Sequence, residues 1–305
     1  MRFRQRLKIL GRALEMERRE HKSSFIVYVV LRAAVIIMMI LQMFNRNYEN
    51  VFLCALTLIL LTIPSLIQVN LKIELPTGLE ITILVFIFAA EILGEISAYY
   101  IRFPFWDTAL HTVNGFLMAA IGFYMVDFFN QNQKMKFELS PAFLSIVAFC
   151  FSMTIGVIWE FFEWGMDHFF GYDMQKDTIV HSINSVKLDP TGTNTVVRIA
   201  DIKDVFINGQ DLGLGGYLDI GLMDTMKDLM VNFIGAVLFS IIGYIYVKNR
   251  GEGKFAKKFI PTTKSADADF LEQSKQIELS EHKKKNKSIK NKKSKNEKSK
   301  KKKVE

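Results

Sequence analysis

The chain has little cysteine: Cys54 and Cys150 are the only two in 305 residues. Both fall inside long apolar stretches at different expected depths, which excludes a disulfide between them and leaves each a packing role. No small-residue cleavage pattern follows the first apolar stretch, so it reads as a retained span rather than a removable leader. There is no phosphate-loop signature; Gly213-Leu214-Gly215-Gly216 reads as a simple turn. The terminal lysine run carries no aromatic residues, so it lacks the stacking platform of a single-strand binder, and nucleic acid is not an expected partner.

What the chain does have is apolar sequence. Half of the residues are hydrophobic, and the mean hydropathy is positive at +0.17 alongside a pI near 9.3. Soluble chains seldom combine these. The basic balance comes from the end of the chain. Thirteen of the 39 Lys and Arg residues lie in 283–303, so without residues 283–305 the rest carries 26 basic against 29 acidic side chains. A bilayer core of about 30 Å needs roughly 20 apolar residues of helix. Stretches at 25–44, 51–69, 79–100, 107–128, 142–164 and 222–247 meet that length. The expected fold is therefore an all-α polytopic membrane bundle of about six spans, with a small β-rich extracytoplasmic loop and a disordered C-terminal tail.

Five regions follow. Residues 1–24 form a basic cytoplasmic segment in which Phe3, Leu7, Leu10 and Leu14 recur at helical spacing, as in a helix lying among lipid headgroups. Residues 25–164 hold spans one to five, 165–221 the outer loop, 222–247 span six and 248–305 the lysine-rich tail. The tail loses its apolar residues and is expected to be disordered and dispensable for folding. Arg and Lys before the first span and after the last place both termini in the cytoplasm of a plasma-membrane protein, with Lys134 and Lys136 of the 129–141 loop on the same side. The expected partners are membrane lipids, with anionic headgroups held by the basic termini. In the loop, Thr195–Ile199 and Val205–Ile207, the latter before Asn208-Gly209, have the look of short strands and a hairpin turn.

The informative feature is where ionisable residues enter the spans. Glu91 and Glu95 lie in span three, Asp107, His111 and Asn114 in span four, Glu160 and Glu163 in span five, and Asp224, Asp228 and Asn232 in span six. Each set occupies one helical face. With alternating span direction, all four sets reach the outer half of the membrane, which argues for one shared site. Two like charges 6 Å apart repel by about 2.8 kcal/mol at an effective dielectric of 20, so the acids require protons or a cation. Arg32, toward the inner end of span one, cannot supply the charge and reads as a snorkelling residue. Carboxylates and an imidazole presented from several helices suit a divalent metal. Asp107, His111, Glu160, Asp224 and Asp228 are its candidate ligands. Glu163 is the candidate general base, and Glu91, Glu95, Asn114 and Asn232 complete the polar cluster. The capping alternative stays open for Asp107 and Asp224. Trp106, Trp159 and Trp164 read as an interfacial aromatic belt.

The stretches Phe105–Gly115, Trp159–Trp164 and Asp224–Gly235 resemble the YjdF-like bacterial membrane proteins. A weaker similarity is to the VanZ-like proteins, through Asp-x-x-x-His and Asp-x-x-x-Asn-x-x-Gly elements. The resemblance covers about 90–245 and implies a bacterial plasma-membrane protein with a shared polar site, but no reaction. Three function classes follow from the residues. One is a metal site acting on a lipid or envelope precursor at the outer leaflet; the others are proton- or cation-coupled transport and a non-catalytic structural role. The near-absence of charge from the inner halves favours the first.

Overall fold

The computed structural model describes residues 3–130, 139–249, 251–281 and 283–284. The chain divides into two compact units, residues 1–99 with 249–305, and residues 100–248. Lys134, Lys136 and the lysine tract from 285 lie outside the described residues.

In the first unit, α1 (Phe3–Glu20) precedes α2 (Lys22–Phe44), α3 (Tyr48–Leu60), α4 (Ile63–Leu71) and α5 (Thr77–Phe88). Asn47 caps α3 by accepting the Asn50 N–H at 3.2 Å, the role its short carboxamide suits. The core joins Tyr28 and Val35 of α2, Cys54 of α3, Leu61, Leu84 and Ile92. Cys54 thus has the expected packing role. Arg32 and Arg18 both donate to the Tyr28 hydroxyl, at 2.8 and 3.1 Å, so Arg32 is tied to α2's own tyrosine.

Two expectations change here. The stretch 79–100 is not one α-helix: α5 runs on as a π-helix, Ala89–Ile96, and stops at Ala98, where φ is +57°. The wider π turn carries Glu91 and Glu95. The second change concerns the ends of the chain. Residues 251–281, counted with the disordered tail, carry a strand at Thr262–Thr263 antiparallel to Ile73–Glu74 and a helical run from 270. Phe270 packs with Ala13 and Val69. Leu10 and Leu14 border that cluster, so this part of α1's apolar face covers protein, not headgroups, while Leu7 remains exposed. Ion pairs close the clasp. Lys8 meets Glu278 at 2.7 Å and Glu281 at 2.9 Å, Arg12 meets Glu281 at 2.9 Å, and Lys72 meets Asp269 at 2.7 Å. Lys264 pairs with buried Glu17. The composition of the lysine tract had hidden Phe270, Leu271 and their acidic neighbours, which are the part able to dock.

After a single turn, α6 (Tyr99–Arg102), the second unit holds α7 (Trp106–Asn130), α8 (Pro141–Phe170) and α9 (Leu222–Lys248), packed against one another. Ser140 caps α8 by accepting the Phe143 N–H at 3.2 Å, with Pro141 at the first position, where its missing N–H costs nothing. The helix passes the expected boundary at 164 and ends at Gly171 in the left-handed region. Cys150 on α8 is exposed, not packed. Among the described residues, five helical segments are long and apolar enough to cross a membrane: Lys22–Phe44, Tyr48–Leu71, Trp106–Phe128, Pro141–Phe170 and Leu222–Lys248. The connection between α8 and α9 has small strand pairs: Ile179–Val180 with Tyr217–Leu218, Ile183–Ser185 with Val197–Ile199, and Phe206–Ile207 with Gln210–Asp211. The last is the Asn208-Gly209 hairpin; both turn residues have positive φ, as a type I′ turn requires.

The contact between α7 and α9 is very close at two glycines. A Cβ on Gly115 would lie 2.1 Å from the Asn232 carbonyl oxygen, and one on Gly235 2.0 Å from the Thr112 carbonyl oxygen. Each glycine lets the other helix's backbone touch its own. That contact brings the polar residues of both helices together.

Candidate metal centre

Asp107 and His111 are one turn apart near the start of α7, and Asp224 and Asp228 one turn apart near the start of α9. Glu160 and Glu163 lie in the last third of α8. The site therefore forms at the amino-terminal ends of α7 and α9, whose backbone dipoles favour negative charge.

His111 stands at its centre. Its Nε2 lies 3.5 Å from Asp107 Oδ1 and 3.7 Å from Asp228 Oδ2. Its Nδ1 faces Glu160 Oε1 at 4.0 Å. Asp107, His111 and Asp228 each offer one ligand atom, all within 4.8 Å of one another. Bonds of about 2.1 Å to one ion place neighbouring ligand atoms roughly 3–3.5 Å apart, so this trio is close to that spacing. Glu160 faces the other ring nitrogen at 4.0 Å, beyond hydrogen-bond distance, instead of lying beside the other ligand atoms; the carboxylate that supports a ligating imidazole in metal sites occupies this side of the ring.

The carboxylates are not fully satisfied. Asp107 Oδ2, Glu160 Oε2 and Asp228 Oδ1 are buried without a hydrogen-bond partner among the described residues, although native interiors pair nearly all such atoms. The side chain of Asp228 is only 2% exposed. Lys227, unassigned in the sequence reading, lies 3.8 Å from Asp107 Oδ2, 3.7 Å from Asp224 Oδ1 and 4.0 Å from Asp228 Oδ1. One ammonium thus faces three carboxylates, with Glu160 a fourth beside the histidine. The signal for Lys227 was its place between Asp224 and Asp228.

Asp224 has a second job. Its Oδ2 accepts the Lys176 N–H at 2.9 Å, and Gln175 donates to the Thr225 hydroxyl. Asp167 on α8 accepts the amides of Met174 and Gln175. Residues 174–176 are thereby strapped to the ends of both helices. The Lys176 amide belongs to the α8–α9 connection and not to α9, whose first turn is capped by Asp219 through the Met223 N–H at 2.8 Å, so Asp224 anchors the connection instead of capping its own helix. Glu163 accepts the Trp159 indole N–H at 2.9 Å. Asn114 donates to Asn232 at 3.4 Å, and Asn232 reaches Met153. Glu91 and Glu95 belong to the first unit.

Residues 26–249 match the model of a family described as a predicted membrane protein, DUF2238, consistent with the YjdF-like resemblance. No curated protein and no solved structure matches the chain.

Proposed function

The chain belongs to the DUF2238 family of membrane proteins, and we propose that it holds one divalent cation on Asp107, His111 and Asp228, with Glu160 orienting the imidazole. The observation that carries this reading is the convergence of two carboxylate oxygens on one imidazole nitrogen, among buried oxygens that lack hydrogen-bond partners among the described residues. Mixed oxygen and imidazole ligands suit Mn, Fe or Zn. A bound cation would supply Lewis acidity toward a phosphoryl oxygen or acidify a water. The chain's own contribution is to fix the ligands on rigid helices, exclude water beneath them and offer Glu163 as proton acceptor toward a lipid or envelope precursor.

A transport path is the less favoured reading. The polar column reaches the Asn114–Asn232 pair. The packed rings of Phe116 and Phe239, 5.1 Å apart, and of Phe123, 6.0 Å from Phe239, then fill the bundle. Such a plug suits a one-sided site.

The clasp also bears on topology. Ile73–Glu74 pairs with Thr262–Thr263, and α1 packs on the same terminal segment. Both ends of the spanning region then share one side of the bilayer, and the number of crossings must be even. Five long helices satisfy this only if α5 and its π continuation also cross. The basic residues of α1 support a cytoplasmic assignment for that shared side, and in this proposed topology the site opens outward.

The test is metal content of the purified protein by mass spectrometry. One equivalent of a divalent metal is expected in the wild type and little in His111→Ala. Chelation should lower the melting temperature of the wild type, since a ligand at a hundred times its Kd stabilises by about 2.7 kcal/mol. A metal-free wild type that chelator does not affect would refute the reading.

A further inference from the structure

Within the cluster, exposure is uneven. The side chains of Asp228, Glu160, Asp224 and His111 are 2%, 6%, 11% and 11% exposed, Asp107 is 24% exposed and Lys227 is 42% exposed. Of these groups the Lys227 side chain is the most exposed, followed by Asp107. The Lys227 ammonium pairs with three carboxylates at 3.7–4.0 Å, longer than a hydrogen bond, so it is held by charge and not by close donor contacts to these acids.

The carboxylate atoms are divided between the two centres. Asp107 turns Oδ1 to His111 and Oδ2 to Lys227, and Asp228 turns Oδ2 to His111 and Oδ1 to Lys227. Two bridging carboxylates thus hold an ammonium on one side and the candidate cation position on the other. Asp224 stays with Lys227 and the Lys176 amide. With a cation on the trio, two positive centres would share the same acids, and the lysine is the more exposed side of the pair.

We propose that this pair recognises a phosphate group, one oxygen on the cation and another on Lys227. The proposal rests on the metal reading above and names the substrate class of that site. Phosphate suits it for three reasons. A cation held by carboxylates and imidazole takes further oxygen ligands. A lysine acts as a point charge toward phosphate and needs no planar match. A tetrahedral oxyanion has several oxygens with which to bridge two centres, as in the cation and lysine clamps of phosphoryl-transfer sites. A lysine that served only as counter-charge to the acids would add nothing to phosphate binding.

The same chemistry arises from a free phosphate and from a phosphomonoester lipid headgroup, so the experiment has two arms. Full-length protein, in nanodiscs of neutral lipid, is titrated with Mn²⁺ or Zn²⁺ in the absence and presence of inorganic phosphate. A second set of nanodiscs carries phosphatidic acid in place of added phosphate. In the wild type, one phosphate source should tighten metal binding by about tenfold, within the usual range of coupling between two ligands. Lys227→Gln should bind metal at least as tightly, since a competing positive charge is gone, and lose that tightening. Lys227→Arg should retain part of it. With Mn²⁺ bound, the ³¹P resonance of the effective source should broaden in the wild type and not in Lys227→Gln. Tightening by inorganic phosphate alone identifies a soluble phosphate ligand, and tightening by phosphatidic acid alone a lipid headgroup. The proposal is overturned if wild type binds metal but neither source changes its affinity, or if Lys227→Gln keeps the full effect. A wild type that binds neither metal overturns the metal reading itself, a distinct result.

Discussion

Gly235 and Gly115 show at the residue scale how a site depends on atoms that are not in it. Neither carries a functional group, yet each admits the other helix's backbone so closely that a methyl would overlap a carbonyl oxygen. Backbone cannot yield as a flexible side chain can, so Gly235→Ala must push α7 and α9 apart. Overpacking of this kind costs about 1–3 kcal/mol or more. The expected result is a lower melting temperature together with weaker metal binding, because Asp228 and His111 separate. Gly11, inside α1 with open space around it, is the control: Gly11→Ala should weaken neither, and its melting temperature should stay level or rise, since Ala is the better helix former. Equal behaviour of the two variants would disprove the close-approach argument. Asp107 and Asp228, by contrast, were legible as sequence, since an acid within an apolar run is costly and must have a reason.

At the scale of elements, the terminal clasp and the outer connection invite different tests. The clasp joins α1 to residues 262–281 through Phe270, the Lys8 and Arg12 ion pairs and the buried Lys264–Glu17 pair, and ties the end of α4 to the same segment through Lys72–Asp269. Burial pushes the Glu17 carboxyl up despite its lysine, so the pair specifies the docking position more than it adds stability. Truncation after residue 261 should expose Ala13 and Val69 and lower thermal stability, whereas truncation after 284 should not. Stability unchanged by both deletions would show that the clasp carries no energy. In the α8–α9 connection, Asp189 accepts the amides of Thr191, Thr193 and Thr195 and the Thr191 hydroxyl, at 2.6–3.0 Å. Those bonds, led by the Thr191 hydroxyl, hold its pKa down to about 2. A depressed pKa means the turn is stabilised above the ordinary carboxylate value and loses that support as pH falls through about 2. Asp189→Asn should speed hydrogen exchange at 191–195 near neutral pH, and in the wild type the same amides should lose protection only in strong acid.

For the whole molecule, the even number of crossings is the claim with the widest reach. Reporter fusions following residues 22, 74 and 250 should all give the cytoplasmic signal, and one within 185–210 the exterior signal. The fusion at 74 is the sharp one, because it tests the return of the chain after two spans that the pairing of 73–74 with 262–263 demands. An exterior signal there would break the parity argument and with it the outward-facing site.

What the sequence determined by itself was the class of molecule, the position of five of its six expected apolar stretches as long helices, and the acids carried by three of them. Hydropathy and helical spacing are local properties, so they can be read along the chain. The Asn208-Gly209 hairpin was legible for the same reason. Only the tertiary structure decided which acids meet. It brought Asp107, His111 and Asp228 around one nitrogen, set Glu160 behind the ring and committed Asp224 to the Lys176 amide. It also turned the first part of a supposed tail into a docked segment and inserted a π turn into span three. Those outcomes depend on how closely two backbones approach at Gly115 and Gly235 and on which distant surface Phe270 finds, and neither is encoded within a single window of residues.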